Sequence, residues 1–143
     1  MDLNSVTVPP RIAAALRRHA AAAMPAECCG ALMGSIGRHE LAIRALIPLA
    51  NASQNPDRYH IDALTVLRME RHAACMGLHV VGFYHSHPRG RATPSSCDLE
   101  LACPGYLYVI VSPAAGELRA WRLQDDRSGF AELRLDNPAA GAA

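Results

Sequence analysis

Residues 78–102 read LHVVGFYHSHPRGRATPSSCDLELA. The segment opens on a mostly apolar, β-type run, Leu78 to Tyr84, which predicts a buried central strand. A polar loop follows over Arg89–Thr93, and Ser95 starts a short helix. His85 and His87 stand two apart at the end of the strand. Side chains at i and i+2 of a strand share a face, about 6.5–7 Å apart along the chain. Two imidazoles placed this way can converge on one metal ion. Asp98 falls on the first turn of the helix, where a strand–loop–helix path can return its carboxylate over the strand's end. Two His and one carboxylate with a fourth position open is the donor set of a catalytic zinc site, not of a closed structural one. The same residues also have plain structural readings. The His pair could lie on an exposed edge, Ser95 could be a helix N-cap, and Asp98 its capping-box partner. The two roles of Ser95 are compatible, since a capping hydroxyl can still donate to a reacting oxygen.

A zinc hydrolase also needs a general base. Glu27 is the candidate, in Pro25-Ala26-Glu27-Cys28-Cys29-Gly30, and it is the only charge between Ala20 and Gly34. A carboxylate in such a stretch is expected to be partly buried, and burial raises its pKa towards the range useful for proton transfer. A solvated Glu at a helix end is the alternative from local context alone.

Working outward, Pro9 and Pro10 precede a helical pattern over Arg11–Met24, which Pro25 ends. Ala31–Met33 and Glu40–Leu49 read as strands around a Gly34–Gly37 turn. Asn51–Pro56 is a loop by composition, and Tyr59–Ile61 is a short extended piece. Asp62 caps a second helix to about Met76, with Leu64, Leu67, Met69 and His72 along it. Tyr106–Ser112, Glu117–Gln124 and Phe130–Leu135 read as strands. The order predicts an α/β or α+β fold, a mixed sheet flanked by helices, as one domain over 1–136 with a frayed tail over 137–143.

The composition agrees with that class. The chain has 143 residues, half of them apolar, 19% charged and a net charge of +1. That length suits one domain with its own core. The near-neutral charge argues against a dedicated nucleic-acid or acidic-membrane binder. No secretory signal or membrane span is visible in the sequence. Five cysteines, two adjacent and none in a CxxC pair, predict reduced thiols in a cytoplasm.

The pattern His85-x-His87, seven residues, then Ser95-x-x-Asp98 resembles the JAMM (MPN+, Mov34/PAD-1) metalloprotease motif in every position. Gly82-Phe83-Tyr84, Pro88 and Pro94 are similar to that family too. Glu27-Cys28-Cys29-Gly30-Ala31-Leu32-Met33-Gly34 resembles its E-x-C-G-x-L-x-G segment. Asn51, Pro56, Tyr59 and Asp62 are similar to a spacing common among small prokaryotic members. The resemblance spans roughly Pro9 to Leu135. It implies that His85, His87 and Asp98 bind one Zn2+, that Glu27 is the catalytic base, and that Ser95 stabilises the oxyanion. It also implies a curved mixed sheet similar to that of cytidine deaminases. The implied substrate is an amide or isopeptide bond after the Gly-Gly end of a ubiquitin-like or sulfur-carrier protein. The connection Cys103–Gly105 is too short for the second insertion of eukaryotic deubiquitinases, which argues against linkage-specific polyubiquitin cleavage. The substrate tail is expected to add as a strand beside a sheet edge near the zinc. An apolar sheet edge could also support a homodimer.

Three other readings compete. A non-catalytic scaffold of the same fold would lose the ligands, which this chain keeps. A RadC-like protein of DNA-repair context shares a His-x-His-Pro run but usually carries a helical DNA-binding module. A zinc deaminase would need His-x-Glu and Pro-Cys-x-x-Cys, and this chain has neither. Cys97 reads as a helix residue without fixed role, and Cys29 as a small buried residue beside Glu27.

Overall fold

The computed structural model describes residues 3–136, so the expected tail over 137–143 lies outside the described residues. Helix α1 (Pro10–Ala23) starts at two prolines that preset helical φ where N–H groups have no partner anyway. Its Ile12, Leu16 and Ala20 recur at i, i+4 and i+8 and are fully buried. That stripe must be covered, and the sheet wraps around it. The strands are β1 (Ser5–Thr7), β2 (Cys29–Ile36), β3 (Glu40–Leu49), β4 (His79–Ser86), β5 (Leu107–Ser112), β6 (Glu117–Leu123) and β7 (Phe130–Asp136). Val6, Leu32, Ile43, Val81, Val109, Ala120 and Leu133, one from each strand, pack into a single cluster with the α1 stripe. Each large apolar side chain buried there contributes about 1.5–3 kcal/mol.

The strand order is β1-β3-β2-β4-β5-β6-β7, and β7 closes onto β1. Pairs β1–β3, β1–β7 and β4–β5 are parallel and the rest antiparallel. The sheet is therefore mixed, as expected, and it closes on itself. Closure comes from β1, which sequence reading missed because three residues cannot display a strand's alternation. β1 pairs only Glu40–Ala42 of β3. The outer edge of β3 from Ile43 to Leu49 has no paired strand among the described residues.

The other face of the sheet carries Met33, Val80, Phe83, Tyr108 and Leu123, covered by α2 (Ala63–Cys75) and α3 (Ser96–Leu101). Asp62 caps α2 by accepting from the Thr65 N–H at 2.8 Å. The helix packs through Val66, Met69 and Ala73, while Leu64 and Leu67 face outward, 56% and 49% exposed. Two apolar stripes compete for the sheet here, and the one ending in small Ala73 permits the closer approach. Two smaller expectations change. β2 runs through Gly34 to Ile36, so the turn begins later. Gly34 sits at a bulge where a Cβ would lie 2.0 Å from the Ala42 carbonyl oxygen. Tyr59–Ile61 is not a strand. Among the described residues no helix is long and apolar enough to cross a membrane.

Because β4 and β5 run parallel, their connection must cross over, and a crossover needs a dozen residues or more. It contains α3 and passes over the carboxyl end of β4, where His85 and His87 emerge.

Candidate metal centre and active site

His85 is the penultimate residue of β4, and His87 continues the strand's path by donating its N–H to the Val111 carbonyl at 2.9 Å. The two Nε2 atoms face each other at 3.1 Å. Asp98 lies on the first turn of α3, and its capping box with Ser95 is complete. The Ser95 Oγ accepts from the Asp98 N–H at 3.1 Å, and Asp98 Oδ2 accepts from the Ser95 N–H at 2.8 Å. This local lock aims the carboxylate at the histidines. Oδ1 lies 3.1 Å from His85 Nε2, and Oδ2 lies 3.1 Å from His87 Nε2. Sequence reading expected this convergence, and the three side chains do meet.

The donor set fits a small divalent cation. Ligands at about 2.0–2.1 Å around a tetrahedral ion stand about 3.3 Å apart, close to the spacing here. Lone pairs and a carboxylate packed so tightly repel unless positive charge sits among them. His87 is held in the tautomer this requires, since its Nδ1 lies 2.9 Å from the Arg91 carbonyl oxygen and must carry the proton. His85 is oriented differently. Its Nδ1 is buried without a hydrogen-bond partner, and its ring stacks on Tyr59 with centroids 4.3 Å apart. Burial lowers the His85 pKa, which keeps the imidazole neutral. Burial also opposes the charged forms of His87 and Asp98. Hydrogen bonds outweigh it, those of Asp98 with the His85 and His87 rings holding its carboxyl far below the usual carboxylate range, and those of His87 with Asp98 and the Arg91 carbonyl raising His87.

Glu27 reaches the same pair of histidines from just before the start of β2. One oxygen of Glu27 and one nitrogen of each histidine lie within 4.8 Å of one another. The His pair thus has two carboxylates near it, Asp98 at 3.1 Å from each Nε2 and Glu27 within 4.8 Å. Burial, with Asp98 and Asp57 nearby and against the pull of His87, pushes the Glu27 carboxyl up to about 7. The partly buried Glu expected from sequence is present.

Long-range pairing brings Glu27 here. In the sheet Cys29 faces both Leu49 and His85. Ser86 tightens the junction, its Oγ accepting from the Cys28 N–H at 2.9 Å and its N–H donating to the Cys28 carbonyl at 3.1 Å. Asn51 supports the other flank. Its amide donates to the Glu27 and Arg58 carbonyls at 3.2 and 2.8 Å, and its Oδ1 accepts from the Ser53 and His60 N–H groups at 3.0 and 3.1 Å. The loop so folded carries Tyr59 onto His85. Sequence reading noted Asn51 and Tyr59 only for their spacing and missed Ser86 and the Arg91 carbonyl. Backbone acceptors leave no signal in residue identity. Cys29 is fully buried, with its thiol pushed by burial up to about 12, so it is no nucleophile.

This chain belongs to the prokaryotic JAB-domain family. The family model, described as prokaryotic homologs of the JAB domain, matches residues 9–124. Among curated relatives, a desampylase from Haloferax volcanii is 37% identical over 99 residues, covering 68% of this chain and 70% of its own. A CysO-cysteine peptidase from Mycobacterium tuberculosis is 36% identical over 120 residues, 78% of this chain and 77% of its own. A solved protein from Desulfitobacterium hafniense superposes with a TM-score of 0.83 at 27% identity, covering 93% of this chain and 92% of that one. The JAMM-type resemblance read from the two motifs and the mixed α/β fold expected with it are both borne out.

Proposed function

We propose that this protein is a zinc-dependent peptidase that hydrolyses the amide or isopeptide bond after the Gly-Gly end of a ubiquitin-like or sulfur-carrier protein. The observation that carries the reading is the His85–His87–Asp98 donor cluster with a half-buried, proton-loving Glu27 beside the two histidines. His85, His87 and Asp98 hold the ion. When bound, zinc supplies Lewis acidity, polarising the scissile carbonyl and acidifying a water. Glu27 takes the proton from the attacking water and passes it to the leaving amine, a role that suits a carboxyl titrating near neutrality. The Ser95 Oγ accepts one hydrogen bond in its cap, so its hydroxyl hydrogen is free to donate to the carbonyl oxygen as negative charge develops.

The relatives' names support the substrate class, since they include a CysO-cysteine peptidase and a probable TtuB-protein conjugate cleaving protease. The outer edge of β3, unpaired among the described residues from Ile43 on, supports strand addition by an extended tail, because it ends at Leu49, level with Cys29 and His85. A small-residue tail such as Gly-Gly can lie there with backbone hydrogen bonds alone. A homodimer through the same edge would compete with substrate. Residues 1–136 act as one catalytic domain in this reading, and five free cysteines support a reducing cytoplasm.

The test is mass spectrometry of a cleavage reaction. Zinc-loaded protein is mixed with the host's Gly-Gly-ending carriers, each extended by one cysteine or joined to a lysine, beside a chelator control and Glu27→Gln. The expected result is chelator-sensitive release of a free Gly-Gly end that Glu27→Gln abolishes. Zinc-bound protein that cleaves none of them refutes the proposal.

A further inference from the structure

The loop between β4 and α3 is pinned at three successive residues by side chains from β5 and β6. The Ser112 Oγ donates to the Gly90 carbonyl in a short hydrogen bond. Glu117 takes the Arg91 guanidinium in a two-point grip, Nε to Oε1 and Nη2 to Oε2, both at 2.8 Å. The same Glu117 Oε1 accepts from the Ala92 N–H at 3.2 Å, and the Trp121 Nε1–H donates to the Ala92 carbonyl at 3.0 Å. Ala92, which is fully buried, is therefore held through both of its peptides, by Glu117 at the N–H of Arg91–Ala92 and by Trp121 at the carbonyl of Ala92–Thr93. The other polar atom of the Arg91–Ala92 peptide is the Arg91 carbonyl oxygen, the one that meets His87 Nδ1 at 2.9 Å. Glu117 and Trp121 lie two pleats apart on one face of β6, with the Arg119 guanidinium between them, 5.0 Å from the indole centroid and 3.8 Å from Glu117. Arg91 holds the Glu117 carboxyl down at about 2, so the acceptor stays ionised at any working pH.

We propose that Glu117 and Trp121 are positioning residues for His87. Glu117 fixes the Arg91–Ala92 peptide plane directly and Trp121 anchors the peptide that follows it, and together they hold the direction of the carbonyl that sets the tautomer and rotation of the His87 ring. The chain of contacts runs from β6 through one peptide to a metal-facing imidazole, and every link is a hydrogen bond. Outer partners of this kind change metal affinity or activity by about 10–100-fold when lost. The Arg91 side chain is mostly exposed, so its ion pair with Glu117 adds little to folding. Its consequence is orientation.

The inference rests on the metal reading of His85, His87 and Asp98, and its test is arranged to separate the two. Full-length wild type, Glu117→Ala, Glu117→Gln, Trp121→Phe and Glu132→Ala are stripped with chelator. Zn2+ affinity is then measured by competition with a chromogenic chelator, and the visible spectrum is recorded after Co2+ loading. Glu132→Ala is the control, since it breaks the exposed Arg119–Glu132 pair without touching the loop. Glu117→Ala and Trp121→Phe are expected to lose about tenfold or more in Zn2+ affinity and to shift the Co2+ bands. Glu117→Gln, which keeps an acceptor for the Ala92 N–H, is expected to recover most of both. Thermal unfolding of the metal-free variants is recorded beside these, since a purely structural role would lower the midpoint without the shift in the Co2+ bands. Wild-type affinity and an unshifted spectrum in Glu117→Ala and Trp121→Phe overturn the positioning role alone. A wild type that takes up no stoichiometric Zn2+ overturns the metal reading and this inference together.

Discussion

Glu27 should make the metal-free protein less stable than it could be, and neutralising it should reveal by how much. In the fold its carboxyl is pushed from 4.5 up to about 7, mainly by burial. Between those two values the folded state binds more protons at this position than the unfolded chain does. Stability from this group is therefore greatest at low pH and falls as pH rises from about 4.5 to about 7. At about 1.4 kcal/mol per tenfold change, a fully desolvated group would cost about 3 kcal/mol above pH 7. Glu27 is only half-buried, so water screens part of this, and about 1–2 kcal/mol is the expected cost. Glu27→Gln keeps the shape and removes the charge. Urea unfolding of chelator-stripped protein should show Glu27→Gln about 1–2 kcal/mol more stable than wild type at pH 8, with the gap narrowing at pH 5. With saturating Zn2+ the gap should also shrink, because the anionic carboxylate then faces a cation. A variant no more stable than wild type at pH 8, or equally advantaged at pH 5, would refute the claim that burial holds this carboxyl in a protonated preference. The same substitution removes the proposed base, so stability should rise as turnover disappears, a trade expected at catalytic sites.

Other outcomes follow from single contacts. Gly30→Ala would place a Cβ 2.3 Å from Cε1 of Tyr84, whose ring is fully buried and whose hydroxyl is tied to His19 at 2.7 Å. With no room to yield, a loss of about 1–3 kcal/mol or more is expected, read as a lower urea midpoint. Asn51→Ala removes four hydrogen bonds that shape the loop over residues 51–60. It should cost about 2–3 kcal/mol and raise hydrogen exchange at the His60 amide, together with a fall in turnover as Tyr59 loosens from His85. Ser95→Ala should lose about 1 kcal/mol of cap stability and should lower kcat more than it raises KM, because an oxyanion exists only on the way to product. A rise in KM at unchanged kcat would count against Ser95 as the donor.

What the sequence determined by itself is local. The strand's two-residue period puts His85 and His87 on one side, and the Ser95–Asp98 capping box aims the carboxylate, so both halves of the candidate metal cluster were legible within fourteen residues. Helices α1 and α3 and the strands from β3 onward followed from periodicity and caps, since those rules act over a few residues. Tertiary structure decided what depends on pairing at a distance. Glu27 lies 58 residues before His85, and only the β2–β4 register, Cys29 opposite His85, brings it to the centre. Closure of the sheet hangs on three residues of β1 that gain their meaning from two neighbours far away in the chain. The outward turn of Leu64 and Leu67 reflects competition between two stripes of α2 for one sheet face. The hold on His87 runs through a backbone carbonyl, a group every residue carries, and only its position in space distinguishes it.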